Sequence, residues 1–121
     1  MPDTRLDPRA DVRIPVQVLG PDGRSSQVSM ETINLSSGGA YCRVPEHVPL
    51  RSQIRIQLDL PTAARVESIV ADAIVLRVDP QEASRGEFLV ALYFINLGSD
   101  DRSKLRRFVF DAIASHSTPE R

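Results

Sequence analysis

Between residues 54 and 60, Ile54, Ile56, Leu58 and Leu60 alternate with Arg55, Gln57 and Asp59. This period of two is the pattern of a strand with one face buried and the other in water. It recurs where Val12, Ile14, Val16 and Val18 alternate with Arg13, Pro15 and Gln17. Pro15 has no N–H to give to a ladder, so it suggests an edge strand or a bulge. Further strands are expected from about Ser25 to Asn34, where Val28 and Met30 share a face, from Gly39 to Val44, from Val66 to Val78 and from Phe88 to Asn96. Turn formers separate them, including Gly20-Pro21-Asp22-Gly23 and the polar loop from Asp79 to Gly86.

The period changes after Leu97. Leu105, Phe108, Val109, Ala112 and Ile113 fall at i, i+3, i+4, i+7 and i+8, the apolar stripe of a helix over about residues 99–115. Ser99 is placed to cap it, and Asp100 and Asp101 suit the positive end of its dipole. Six short strands followed by one helix read as a mainly β domain, a small barrel or sandwich whose open end or flank the helix covers. The polar residues 116–121, with Pro119, are expected to form a disordered tail. Residues 1–11 have no apolar period: Asp3, Arg5, Asp7, Arg9 and Asp11 alternate in sign, and Pro2 and Pro8 interrupt any helix. They are expected to form an extended, flexible arm ahead of a domain over residues 12–115.

A chain of 121 residues with 41% apolar content suits one domain with a modest core. Its net charge of −1 lacks the basic field used to bind nucleic-acid polymers or anionic membranes, so any anion site must be local. The lone Cys42 permits no internal disulfide, and the sequence contains no secretory core or membrane-length apolar run. A cytoplasmic address is expected. Catalytic chemistry is poorly represented. His47 and His116 are peripheral, Cys42 lies in a short apolar strand, and the Ser-Ser-Gly-Gly stretch has neither a nucleophile elbow nor a Walker-type lysine. Neither an enzyme, a metal site nor a cofactor is expected.

What remains is the arginine arm and the stretch Asn34-Leu35-Ser36-Ser37-Gly38-Gly39. Taken singly, alternating Arg and Asp describes a solvated tail, and Asn34 and Ser36 are ordinary turn formers. Together they suit a phosphate-bearing ligand. Arginine offers a rigid fork to phosphate oxygens or to guanine O6 and N7, while Gly38 and Gly39 would let a ligand approach the backbone.

In order and spacing the chain resembles the PilZ domain family, bacterial receptors for cyclic di-GMP. Arg5-Leu6-Asp7-Pro8-Arg9 matches the Arg-x-x-x-Arg arm, and Asn34-x-Ser36-x-x-Gly39 matches the [Asp/Asn]-x-Ser-x-x-Gly motif between the second and third strands. The resemblance implies a six-stranded antiparallel β-barrel with a C-terminal α-helix, and a ligand held on its outer surface by Arg5, Arg9, Asn34, Ser36 and Gly39. Auxiliary contacts would come from Arg13, Ser37, Gly38 and from Arg77, exposed by alternation near the end of the fifth strand. Arg9-Ala10-Asp11-Val12-Arg13 is a second match to the arm motif, but Arg13 lies within the alternating strand pattern. Thr4 stands where many relatives carry a further arginine, which favours a single bound ligand. The implied function is a cyclic di-GMP receptor whose arm changes conformation on binding and regulates a protein effector. The alternative is a PilZ-like adaptor that binds only protein. An RNA-binding small barrel ranks last, because aromatics make up only 5% of the chain.

Overall fold

A computed structural model describes residues 9–20, 25–80 and 87–117, without the side chains of 25–28 and 115–117. Six antiparallel strands precede one helix: β1 (Pro15–Leu19), β2 (Ser25–Leu35), β3 (Gly39–Val44), β4 (Gln53–Pro61), β5 (Val66–Pro80), β6 (Phe88–Ile95) and α1 (Ser99–Ser117). They close into a barrel in the order β1-β2-β3-β6-β5-β4, with β1 pairing β4 to complete the ring. Closure settles barrel against sandwich and leaves no sheet edge.

Pro15 therefore lies on no edge. It is the first residue of β1, and the β1–β2 register shifts later, between Gln17 and Leu19. The chain just before Pro15 is stitched to β2 by one side chain. The buried Thr32 hydroxyl accepts the Ile14 N–H at 2.8 Å and donates to the Val12 carbonyl at 2.5 Å, while the Thr32 N–H donates to the Ile14 carbonyl at 3.0 Å. Residues 9–11 likewise differ from the free arm expected of them. Ala10 is buried and exchanges both backbone hydrogen bonds with Leu35, each 2.9 Å. A small apolar residue that covers the end of β2 cannot remain in solvent without loss of that contact.

The alternating apolar residues face inward as expected. Ile56, Leu58 and Leu60 of β4 meet Ile69, Ala71, Ala73 and Val75 of β5 and Val90, Leu92 and Phe94 of β6. Each large side chain so buried contributes about 1.5–3 kcal/mol. Cys42 is part of this core, and burial pushes its thiol up to about 12, so it stays protonated and inert. On the outer surface Arg55 and Asp72 stand opposite one another in β4 and β5 and pair at 2.9 Å. That hydrogen bond from Arg55 holds the Asp72 carboxyl below its usual range.

Two strands carry one extra residue each, and these bulges decide which side chains reach the outside. In β2, Thr32 pairs with Cys42 but Asn34 pairs with Tyr41, so Ile33 is extra. In β5, Val75 pairs with Leu92 but Arg77 pairs with Ala91, so Leu76 is extra. Each bulge resets the alternation. Thr32 and Leu35 both point into the core, and Asn34 turns outward between them. Val75 is buried and Val78 packs on the core, so Leu76 and Arg77 are both exposed.

The helix buries Leu105 and Val109, with Phe108, Ala112 and Ile113 packed beside them. Its first hydrogen bond runs from the Arg102 N–H to the Gly98 carbonyl at 2.8 Å, so Gly98 rather than Ser99 occupies the cap, a position glycine tolerates well. The helix continues to Ser117, two residues beyond the expected end and into the start of the predicted tail. Residues 118–121 lie outside the described residues. No described helix is long and apolar enough to cross a membrane.

Two substitutions test this packing. Thr32→Val keeps the shape of the side chain but leaves the Ile14 N–H without its hydroxyl acceptor, with an expected loss of about 1–3 kcal/mol in urea unfolding. An unchanged midpoint would show that β1 does not depend on this hydroxyl. Gly39→Ala would place a Cβ 2.2 Å from the Leu92 carbonyl oxygen. Because the obstructing atom is backbone, the expected cost is about 3 kcal/mol or more, read as a large fall in melting temperature.

Candidate functional site

On the barrel's outer wall, where β2, β3, β6 and β5 lie side by side, a cavity of about 530 Å³ opens to solvent. Its rim begins with the turn between β2 and β3. The Ser36 hydroxyl accepts the N–H of Gly38 at 3.1 Å and of Gly39 at 3.2 Å, and the Ser36 N–H donates to the Gly39 carbonyl at 2.9 Å. The Gly38 carbonyl accepts the Phe94 N–H at 2.9 Å, which ties the turn to β6. Ser36 therefore spends its hydroxyl on the turn itself. Gly39 is required by the close approach of the β6 backbone, so its missing side chain serves strand packing first.

Next to this turn the β2 bulge presents Asn34. Its Oδ1 accepts a hydrogen bond from Arg9 Nη1 at 2.7 Å, across 25 residues of sequence. The Ala10–Leu35 pairing fixes the backbone beside Arg9, so this cation is anchored at the cavity. Arg77 lines the facing wall, delivered by the β5 bulge. It is exposed because the alternation breaks at Leu76; unbroken alternation would have placed it inward with Ala73 and Val75. Its Nε donates to Asp79 Oδ2 at 2.8 Å, and its guanidinium lies 5.7 Å from the centre of the Tyr41 ring. Hydrogen bonding to the Tyr41 hydroxyl, and then to Asp79, raises the Arg77 pKa further, so its charge is permanent.

Of the residues expected from sequence, Arg9, Asn34, Ser36, Gly38, Gly39 and Arg77 line this one cavity. Arg5 lies outside the described residues. Arg13 does not line the cavity; it faces Glu31 at 3.8 Å, and Glu31 also meets Arg43 at 3.5 Å. Ser37 is buried in the turn away from the cavity, and its Oγ is a buried polar atom without a hydrogen-bond partner among the described residues. Sequence reasoning missed Leu76 and Tyr93, both more than half exposed on the cavity wall, and the Tyr41–Asp79 pair behind Arg77. The surplus of apolar residues in the fifth segment hinted at Leu76. Nothing in the sequence joined Tyr41 to Asp79.

The arrangement can hold an anion with flat, partly apolar groups. Two guanidinium ions provide charge and forked donors, Asn34 provides an amide, and Leu76 and Tyr93 provide apolar surface. A second groove of about 580 Å³ lies between α1 and the β4–β5 turn, but Glu67, Asp100, Lys104, Arg107 and Asp111 line it with charges of both signs. It holds none of the expected site residues. Among the described residues no cluster of His, Cys, Asp and Glu could hold a metal ion.

Similar folds occur in solved structures. The inhibitor of motility MotI/DgrA of Bacillus subtilis superposes with a TM-score of 0.81 at 17% identity over 96% of this chain, which spans only about half, 54%, of that protein. The PilZ domain of YcgR from Escherichia coli, solved with c-di-GMP, gives 0.70 at 15% identity and covers 94% of this chain and 95% of that one. The PilZ domain of CeSA from a cellulose-synthesizing bacterium gives 0.53 at 24% identity over 86% and 96% of the two chains. No curated protein sequence matches. The sequence itself matches the PilZ domain family over residues 3–111, the whole described barrel and most of its helix, and the chain belongs to that family.

Proposed function

We propose that this protein is a cyclic di-GMP receptor and adaptor, without enzymatic activity or cofactor, that acts in the bacterial cytoplasm on a protein effector. The observation that carries the reading is the convergence of Arg9, Asn34 and Arg77, from three separate segments, on one cavity of the outer wall. Paired phosphodiesters and guanines are the chemistry such a set meets, with charge-assisted forks for the anions and for guanine edges. The complex of the YcgR PilZ domain with c-di-GMP, on the same fold, supports the choice of ligand.

In this reading Arg9 is the preset half of the arginine pair, and Arg5 joins it when the ligand arrives. Asn34 orients Arg9 and offers its own amide. Ser36 and Gly39 act by holding the turn that shapes the rim, with Gly38 beside them, and Arg77 closes the far side. Ligand charge is met at the junction of arm and barrel, so the N-terminal arm changes conformation on binding and the liganded wall becomes the surface a protein effector reads. One bound ligand is favoured because Thr4 stands where many relatives carry a further arginine. A reading as a protein-only adaptor draws on a different observation: Ser36 and Gly39 are fully accounted for by the turn, so their presence alone does not require a ligand.

Calorimetric titration with cyclic di-GMP, with GTP as a charge control, separates the two. The expected result is a Kd of about 1 μM or tighter for cyclic di-GMP alone, weakened about tenfold or more by Arg9→Ala, the worth of one charge-assisted hydrogen bond. Absence of heat, together with failure to displace a labelled ligand, would support the protein-only adaptor instead.

A further inference from the structure

The groove between α1 and the β4–β5 turn lies apart from the cavity on the outer wall, since the two share no lining residue. It continues into a smaller one of about 280 Å³, with Thr62, Ala63, Phe108 and Asp111 common to both. The helix gives one continuous side to this joined groove, from Asp100 to Ala112 at spacings of three and four residues. At a rise of about 1.5 Å per residue that side is about 18 Å long, enough for about three turns of a partner helix or about five extended residues.

The opposite wall is a hairpin tip. Turns are ordinarily polar, yet this one sets Ala63 and Ala64 at the groove, with Pro61 and Val66 exposed beside them. Its own hydrogen bonds fix it: the Thr62 N–H and hydroxyl donate to the Arg65 carbonyl at 2.9 and 2.5 Å, and the Arg65 N–H donates back to Thr62 Oγ1 at 3.1 Å. Leu60 and Phe108 complete an apolar floor. Along the helix the rim charges run Asp100, Lys104, Arg107 and Asp111. Each carboxylate stands four residues from a cation, the spacing of a helical ion pair, yet among the described residues neither Lys104 nor Arg107 forms one. On the facing wall Glu67 already meets Arg65 at 3.6 Å. Two cations one turn apart are therefore left beside an apolar floor, with a carboxylate on either side of them.

We propose that this groove docks an acidic, amphipathic segment of a partner protein, whose apolar residues lie on Leu60, Phe108 and the turn alanines while adjacent carboxylates meet Lys104 and Arg107. An apolar centre with a charged rim is the anatomy of a protein interface. Asp100 and Asp111 bracket the cations, so a broad anionic surface such as a bilayer or a nucleic acid is repelled at both ends, whereas a short acidic pair fits between them. The proposal adds to the receptor reading a protein contact off the ligand wall, and it stands whether or not cyclic di-GMP binds.

The test is an amide NMR titration of the full chain with three synthetic peptides of equal length, each with leucines on both sides of a central pair that is Glu-Glu, Gln-Gln or Lys-Lys. The Glu-Glu peptide is expected to shift the amides of the β4–β5 turn and of α1, and not those from Asn34 to Tyr41, with a Kd of about 100 μM or tighter at low salt. The Gln-Gln peptide should bind about tenfold more weakly and the Lys-Lys peptide weakest of all. Lys104→Glu combined with Arg107→Glu should invert that order while the melting temperature stays within about a degree or two of wild type, because both positions are exposed. Ala63→Glu, which puts bulk and like charge on the apolar wall, should weaken the Glu-Glu peptide about tenfold or more. Phe110→Ala, an exposed aromatic outside the groove, should leave its affinity within about twofold. Equal affinity for the three peptides, no amide shift at about 1 mM peptide, or shifts centred on Phe110 or on the ligand wall would overturn the proposal. So would co-sedimentation of the chain with phosphatidylglycerol vesicles, or dilution-dependent shifts of the same amides, which would assign the groove to a bilayer or to a second copy. Calorimetry with cyclic di-GMP is read separately: wild type without nucleotide affinity but with the ordered peptide series loses the receptor reading and keeps this one.

Discussion

At Gly39 the backbone of β6 comes so near that a Cβ would lie 2.2 Å from the Leu92 carbonyl oxygen, and the outer wall of the barrel is organised around that approach. Since β3 can lie against β6 at this depth only with glycine there, the chain must reverse just before it. Ser36 makes the reversal possible by accepting the amides of Gly38 and Gly39. The Gly38 carbonyl then takes the Phe94 N–H, so turn, β3 and β6 form one hydrogen-bonded unit. The motif residues are thus first a piece of construction. Their service to a ligand comes through the wall they hold in place.

On either side of that unit the two bulges apply the same device. An inserted residue rotates the next side chain to the opposite face, and both insertions fall where β2 and β5 flank the cavity. Without them Asn34 would follow Thr32 into the core and Arg77 would follow Val75, each as a polar group in an apolar interior, at a cost no neighbouring partner offsets. The bulges resolve a conflict between local pattern and global packing. The cavity is the place where that resolution leaves amide and guanidinium groups facing water and one another.

Electrostatics on this wall are local, as a chain of net charge −1 requires. Arg13 and Arg43 share Glu31, and Arg43 also meets Glu87, so that part of the surface is balanced. Arg9 and Arg77 reach the cavity instead, the first with an amide oxygen beside it and the second with a carboxylate beneath it. The difference is one of partners rather than of residue type. It explains why a sequence count of arginines near the arm could not say which of them belongs to the site.

Alternation alone determined which faces of β3, β4 and β6 are buried, because a strand's period is set by its own backbone and water is the same everywhere along it. The helical stripe from Leu105 to Ile113 was legible for the same reason. The spacing of Asn34, Ser36 and Gly39 was legible because a tight turn is a local object, whereas the pairing of the turn with an arginine arm came only from the resemblance to the PilZ pattern. Tertiary structure alone decided the rest. Ala10 belongs to the barrel only because Leu35 is there to pair with it, and Pro15 has no edge only because β1 and β4 meet. Arg77, Leu76, Tyr41 and Asp79 gather only because β3 and β5 flank β6 and a bulge shifts the register between them. A side chain's neighbours across a closed barrel depend on which strands pair and where the register slips, and those are properties of the whole ring rather than of any segment in it.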